Sequence, residues 1–144
     1  MIQIFNSYLV EINFVSAPTA GQTVNFLDVP QLRDKLIYGV ELITASQMTT
    51  SPTGKTIATK ANSLSGSLTI VNTGSYQVFQ QVPNGNLITQ DNAGIIKEFA
   101  PTKIDLQKSF VQIFSAGIGA GESLCYNFIY LKPEQLKDYL STRK

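Results

Sequence analysis

Residues 35–48, KLIYGVELITASQM, leave this chain few ways to fold. Read with a period of two, the even positions carry Leu36, Tyr38, Val40 and Leu42. The odd positions carry Ile37, Gly39, Glu41, Ile43 and Ala45, and neither face turns polar before Thr44 and Ser46. A strand apolar on both faces has to be covered on both sides, which puts it in the middle of a sheet. Polar, turn-rich segments flank the run, so the other strands are expected to assemble around it. Its last part, 44–48, emerges at the rim. Glu41 marks the end of the core, either reaching the rim or pairing with a Lys or Arg across a strand.

The rest of the chain is written in the same period. In residues 2–15, Ile2, Ile4, Tyr8, Val10, Ile12 and Phe14 share one face, with Asn6 the exception. A helix does not produce this pattern; two strands, or one strand with a bulge near Asn6 and Ser7, do. SAPTAG at 16–21 is a turn, 23–29 a short extended segment, and PQLRD at 30–34 one helical turn with Pro30 at its first position. A Thr/Ser/Pro loop at 49–55 leads to a brief strand at 56–59 and a turn at 61–63. Residues 64–71 put Leu64, Leu68 and Ile70 on one face, leaving Ser65, Ser67 and Thr69 for solvent or a partner. Residues 76–82 form a strand that ends at Asn84-Gly85, a favoured hairpin turn.

Short strands are expected at 95–99 and 109–115, then a glycine loop at 116–122. The last strand, 123–131, turns Leu124, Tyr126, Phe128 and Tyr130 inward. Residues 132–144 make the one good helix, with Pro133 and Glu134 in its first turn and Leu136, Tyr139 and Leu140 as an apolar stripe. About eight strands at 8–12-residue spacing, with no βαβ rhythm, describe an all-β fold. The expectation is a single domain over residues 1–144: an antiparallel β-sandwich, an eight-stranded jelly roll, with a short C-terminal α-helix.

Composition narrows function mostly by exclusion. Charged residues are 15% of the chain, so uncharged polar side chains must cover the surface. Lys plus Arg number 11 against 10 Asp plus Glu, and only Lys137, Arg143 and Lys144 cluster, which is no footprint for nucleic acid. There is no His and a single Cys, Cys125. Triad catalysis through His, a His/Cys zinc site and an internal disulfide are therefore not expected. The start of the chain has no basic n-region and no run approaches membrane-helix length, so a cytosolic product, or something assembled inside a cell, is expected.

Two glycine motifs imitate nucleotide sites. SPTGKT at 51–56 has Thr49 where a phosphate loop needs its first glycine, and β-branched residues follow it where a helix is required. GIGAG at 117–121 has Glu122 where the third fingerprint glycine belongs, and it precedes a strand. The first reads as a surface turn. In the second, Gly117, Gly119 and Gly121 permit close backbone approach at an interface. With Leu136, Tyr139 and Leu140 they are the candidate partner-binding residues. No catalytic residue, metal ligand, cofactor or small-molecule substrate is expected.

Residues 34–55, 67–88 and 101–113 share a texture: a glycine-marked strand after a polar turn, a Thr/Ser/Pro loop, a hairpin strand ending in Val-Pro, and a Lys-Ser-aromatic strand start. This resembles small structural proteins of phages infecting Bacteroidetes-type hosts. The nearest resemblance is to the single jelly-roll minor capsid proteins, of penton type, of tailless icosahedral phages of the finnlakevirus kind. It implies a virion protein without enzymatic activity, self-associating as a pentamer around a fivefold axis. The partners it implies are the major capsid protein and a spike protein. No family residue maps onto a numbered position here. A head-decoration protein of a tailed phage and a glycan-binding β-sandwich are the alternatives; the absence of Trp weighs against the second.

Overall fold

The computed structural model describes residues 6–142. Nine strands form two sheets: β1 (Asn6–Asn13), β2 (Thr23–Asn25), β3 (Leu36–Ile43), β4 (Thr56–Ile57), β5 (Gly66–Val71), β6 (Gln77–Pro83), β7 (Lys97–Thr102), β8 (Phe110–Ile113) and β9 (Glu122–Leu131). Two helices complete it, α1 (Lys60–Ser63) and α2 (Leu136–Thr142). The first sheet runs β1-β9-β3-β7, with β4 parallel to the start of β9. The second runs β2-β8-β5-β6. All other pairings are antiparallel. Setting aside the two-residue β4, the chain changes sheet at every connection except β5–β6. The pairs β1–β9, β2–β8, β3–β7 and β5–β6 are therefore nested one inside the next. The expected antiparallel β-sandwich with a short C-terminal helix is present.

The core lies between the sheets. β1 contributes Val10 and Ile12, β9 contributes Leu124, Tyr126 and Phe128, and β5 and β8 contribute Leu68, Ile70, Val111 and Ile113 from the other side. These are the alternate positions that the sequence pattern selects, because successive side chains of a strand leave on opposite faces. Ile2 and Ile4 lie outside the described residues.

β3 departs from simple alternation. Ile37, Val40 and Leu42 all enter the core, so the inward parity changes between Ile37 and Gly39, where the register with both neighbours shifts. That is a β-bulge. Gly39 suits it: a Cβ there would lie 3.1 Å from Cγ2 of Ile96. On the outer face, Leu36 and Tyr38 are covered by α2, which packs Leu136 and Tyr139 onto Ile129, Leu131 and Tyr38 as a second, smaller core. The strand is apolar on both sides for two reasons, a bulge and a helix.

Three expectations need correction. The Asn84-Gly85 pair makes no two-residue hairpin: residues Asn84–Leu87 form a 3-10 turn, and the next strand, β7, joins the other sheet. The hydroxyl face of β5 is not open, since all six residues of the strand are buried. Leu64 does not share the face of Leu68; it precedes the strand and is 48% exposed.

Candidate functional site

The second sheet has an unusual surface. β2, β5, β6 and β8 contain no Asp, Glu, Lys or Arg at all. Its outer side is built of Thr23, Asn25, Ser67, Thr69, Phe110 and Gln112, with Gln81 of β6 beside them. Gln81 donates its backbone N–H to Thr69 Oγ1 at 3.1 Å and its side-chain amide to Gln112 Oε1 at 3.1 Å. It does so with φ +47, beside the irregular pairing of β5 and β6. Ser67 Oγ is buried among these groups with no hydrogen-bond partner among the described residues. Interface cores are depleted in charge, and such a face suits contact with another protein surface.

The first sheet, in contrast, is occupied by its own chain on the outside. Tyr139 is buried against Tyr38 at a ring-centroid distance of 4.9 Å, and Leu136 is half-buried beside it. Of the helical stripe, Leu140 is the member left at the surface. Glu41 stands on this outer face, where its carboxylate accepts a hydrogen bond from Asn127 Nδ2 at 3.0 Å. This partner is a neutral amide on the adjacent strand, where the sequence suggested the rim or a cation. Thr53, in the loop after β3, donates to Glu11 Oε1 at 2.8 Å and ties that loop to β1.

The glycine loop lies at one end of the sandwich. Ile118 is buried and anchors it, while Glu122 accepts hydrogen bonds from the N–H of Gly119 and from Asn62 Nδ2. Gly121 needs its φ of +81, and a Cβ on Gly117 would come within 3.3 Å of Ser65 Oγ. Phe114 and Val15 are exposed at the same end. A carboxylate turned into the loop is the reverse of a phosphate cradle. At 51–55, Gly54 donates to the Ser51 carbonyl with φ +86, forming a tight turn followed by β4.

Cys125 is fully buried on β9, opposite Glu11 and Ile43. Burial, and then the Glu11 carboxylate, push its thiol pKa up to about 12. Tyr126 is raised in the same direction, by burial first; Asn84 opposes the shift and Cys125 adds to it. Both groups hold their protons longer in the folded chain than in the unfolded one. The thiol's contribution to stability is therefore fully present below its ordinary value of 9.0 and is lost as pH rises toward the folded value. The expected slope from the thiol is about 1.4 kcal/mol per pH unit. Urea denaturation between pH 8 and pH 10 should show the loss, and Cys125→Ala should flatten it over that range.

Among the described residues no group of His, Cys, Asp and Glu is placed to hold a metal ion. No helix there is long and apolar enough to cross a membrane. No protein-family model, curated protein or solved structure matches the chain.

Proposed function

We propose that this chain is a single jelly roll serving as a virion structural protein, a vertex (penton) or other minor component of a capsid, and that it acts by protein–protein assembly and not by catalysis. The nested strand order carries this reading. β1 with β9, β2 with β8, β3 with β7 and β5 with β6 are what results when one long antiparallel hairpin is wrapped into two facing sheets. The charge-free second sheet supports it, because such a face is suited to lie against a neighbour. As a vertex protein, five copies close a ring through a heterologous contact and meet the major capsid protein at its outer border, with a spike protein as the further partner. Fold alone does not assign function, so the test is location. Imaging of purified particles should find the chain at fivefold positions. Its absence from any particle, together with sugar binding by the isolated chain, overturns the reading.

A further inference from the structure

The sandwich has four long-sheet edges, and three of them are blunted against pairing. β2 has three residues. β6 carries Pro83, two register shifts and the positive φ of Gln81. β7 carries Lys97, Glu98 and Pro101 and pairs with β3 across the bulge. Short length, proline, charge and irregularity are the devices by which proteins keep sheet edges from joining others. Of these devices β1 carries only one, the charge of Glu11, which accepts a hydrogen bond from Thr53. It runs eight residues in unbroken register with β9, from Asn6 opposite Tyr130 to Asn13 opposite Ser123, without Pro, Lys or bulge. Among the described residues no strand pairs with its other side.

The direction of its free groups follows from the ladder. Just past β1, Phe14 donates its N–H to the Glu122 carbonyl at 3.0 Å, and its own carbonyl accepts from Gly121. Even-numbered residues thus bond toward β9, and antiparallel alternation turns the N–H and C=O of Ser7, Leu9, Glu11 and Asn13 outward. A groove of about 310 Å³ runs along this edge, walled by residues 27–31 and by Thr53. Leu27, 84% exposed, stands in the wall.

We infer that β1 is a pairing edge and that a second copy of this chain occupies it, β1 against β1, antiparallel about a twofold axis. The strand is its own match. In the register that pairs all four outward residues with each other, Val10 faces Val10 of the second copy on the apolar side and Tyr8 faces its Ile12. On the other side Ser7 faces Asn13, and Glu11 faces Leu9, so the one charged residue of β1 does not lie directly opposite itself. Four outward residues in each copy give about eight main-chain hydrogen bonds. Because it is isologous, this contact is separate from any heterologous ring and goes beyond the vertex reading.

The test is the mass of the full chain in solution, by sedimentation velocity over a range of concentrations. The unaltered chain should sediment as a dimer. Leu9→Pro removes only an outward N–H, which an edge strand tolerates, and should leave a folded monomer. Ser7→Lys combined with Asn13→Lys should also be monomeric, and Ser7→Lys combined with Asn13→Asp should restore the dimer across the seam. A chain that is monomeric throughout overturns the inference. So does an oligomer unchanged by Leu9→Pro and by the double-lysine variant; a pentamer of that kind overturns it and leaves the ring standing.

Discussion

Replacing Phe26 with alanine should cost the fold about 3–5 kcal/mol, the range for deleting a buried phenyl ring. Phe26 is 3% exposed and sets its ring edge-on to two aromatic rings of β9, Tyr126 at 5.7 Å and Phe128 at 5.9 Å between centroids. Edge-to-face pairs add about 0.5–1.5 kcal/mol to the area they bury. The site cannot collapse around a smaller residue easily, because Phe26 follows the edge strand β2 and its backbone N–H is held by the Ser109 carbonyl. For a domain with about 5–15 kcal/mol in total, this is a fifth or more of the stability. Thermal unfolding should move down by roughly 6–20 °C at about 2–4 °C per kcal/mol. The adjacent Leu27→Ala should change the stability of the monomer by less than about 0.5 kcal/mol, because that side chain is exposed. Equal losses at the two positions would contradict this account of the core.

The contrast between neighbours is what alternation encodes, and alternation made most of this fold readable. The inward rows of β1, β8 and β9 follow from the parity of Tyr8, Val10 and Ile12, of Val111 and Ile113, and of Leu124, Tyr126 and Phe128. Parity fails where a long-range partner changes its meaning. At Gly39 a bulge resets it, and what packs against Gly39, Ile96, comes from a segment distant in sequence. At Ser67 and Thr69 an outward hydroxyl face is buried by side chains of adjacent strands, and a pattern of alternating Ser and Thr carries no record of those neighbours. The candidate site divides in the same way. Leu136, Tyr139 and Leu140 are legible as a helical stripe, but what the stripe covers, Tyr38 and Ile129 of its own sheet, is a tertiary fact. The charge-free sheet can be seen only after β2, β5, β6 and β8 are known to lie together. The open edge of β1 is less visible still, since an edge is defined by the strand that is missing beside it.

Asn84 shows what local chemistry alone misses. As half of an Asn-Gly pair it reads as a turn former, and a turn former at the surface tolerates exchange. Here it is fully buried and joins two parts of the chain. Its Oδ1 accepts the Tyr126 hydroxyl at 2.9 Å, and its Nδ2 donates to the Ser63 carbonyl at 2.8 Å. Asn84→Ala should strand both, a buried phenol and a buried carbonyl, at about 1–3 kcal/mol each, or about 2–6 kcal/mol in total. Tyr126→Phe leaves only Oδ1 of Asn84 unpaired and should cost about 1–2 kcal/mol. Asn84→Asp keeps an acceptor for Tyr126 but loses the donor to Ser63 and puts a carboxylate in the core, so it should be at least as damaging as alanine near neutral pH. The two groups share one bond, so Asn84→Ala with Tyr126→Phe should cost less than the sum of the single changes. Urea denaturation of the four variants measures all of this in one series. Additive costs would mean that the hydroxyl and the amide act independently, and an Asn84→Ala variant as stable as the parent would return the residue to the role its sequence suggests.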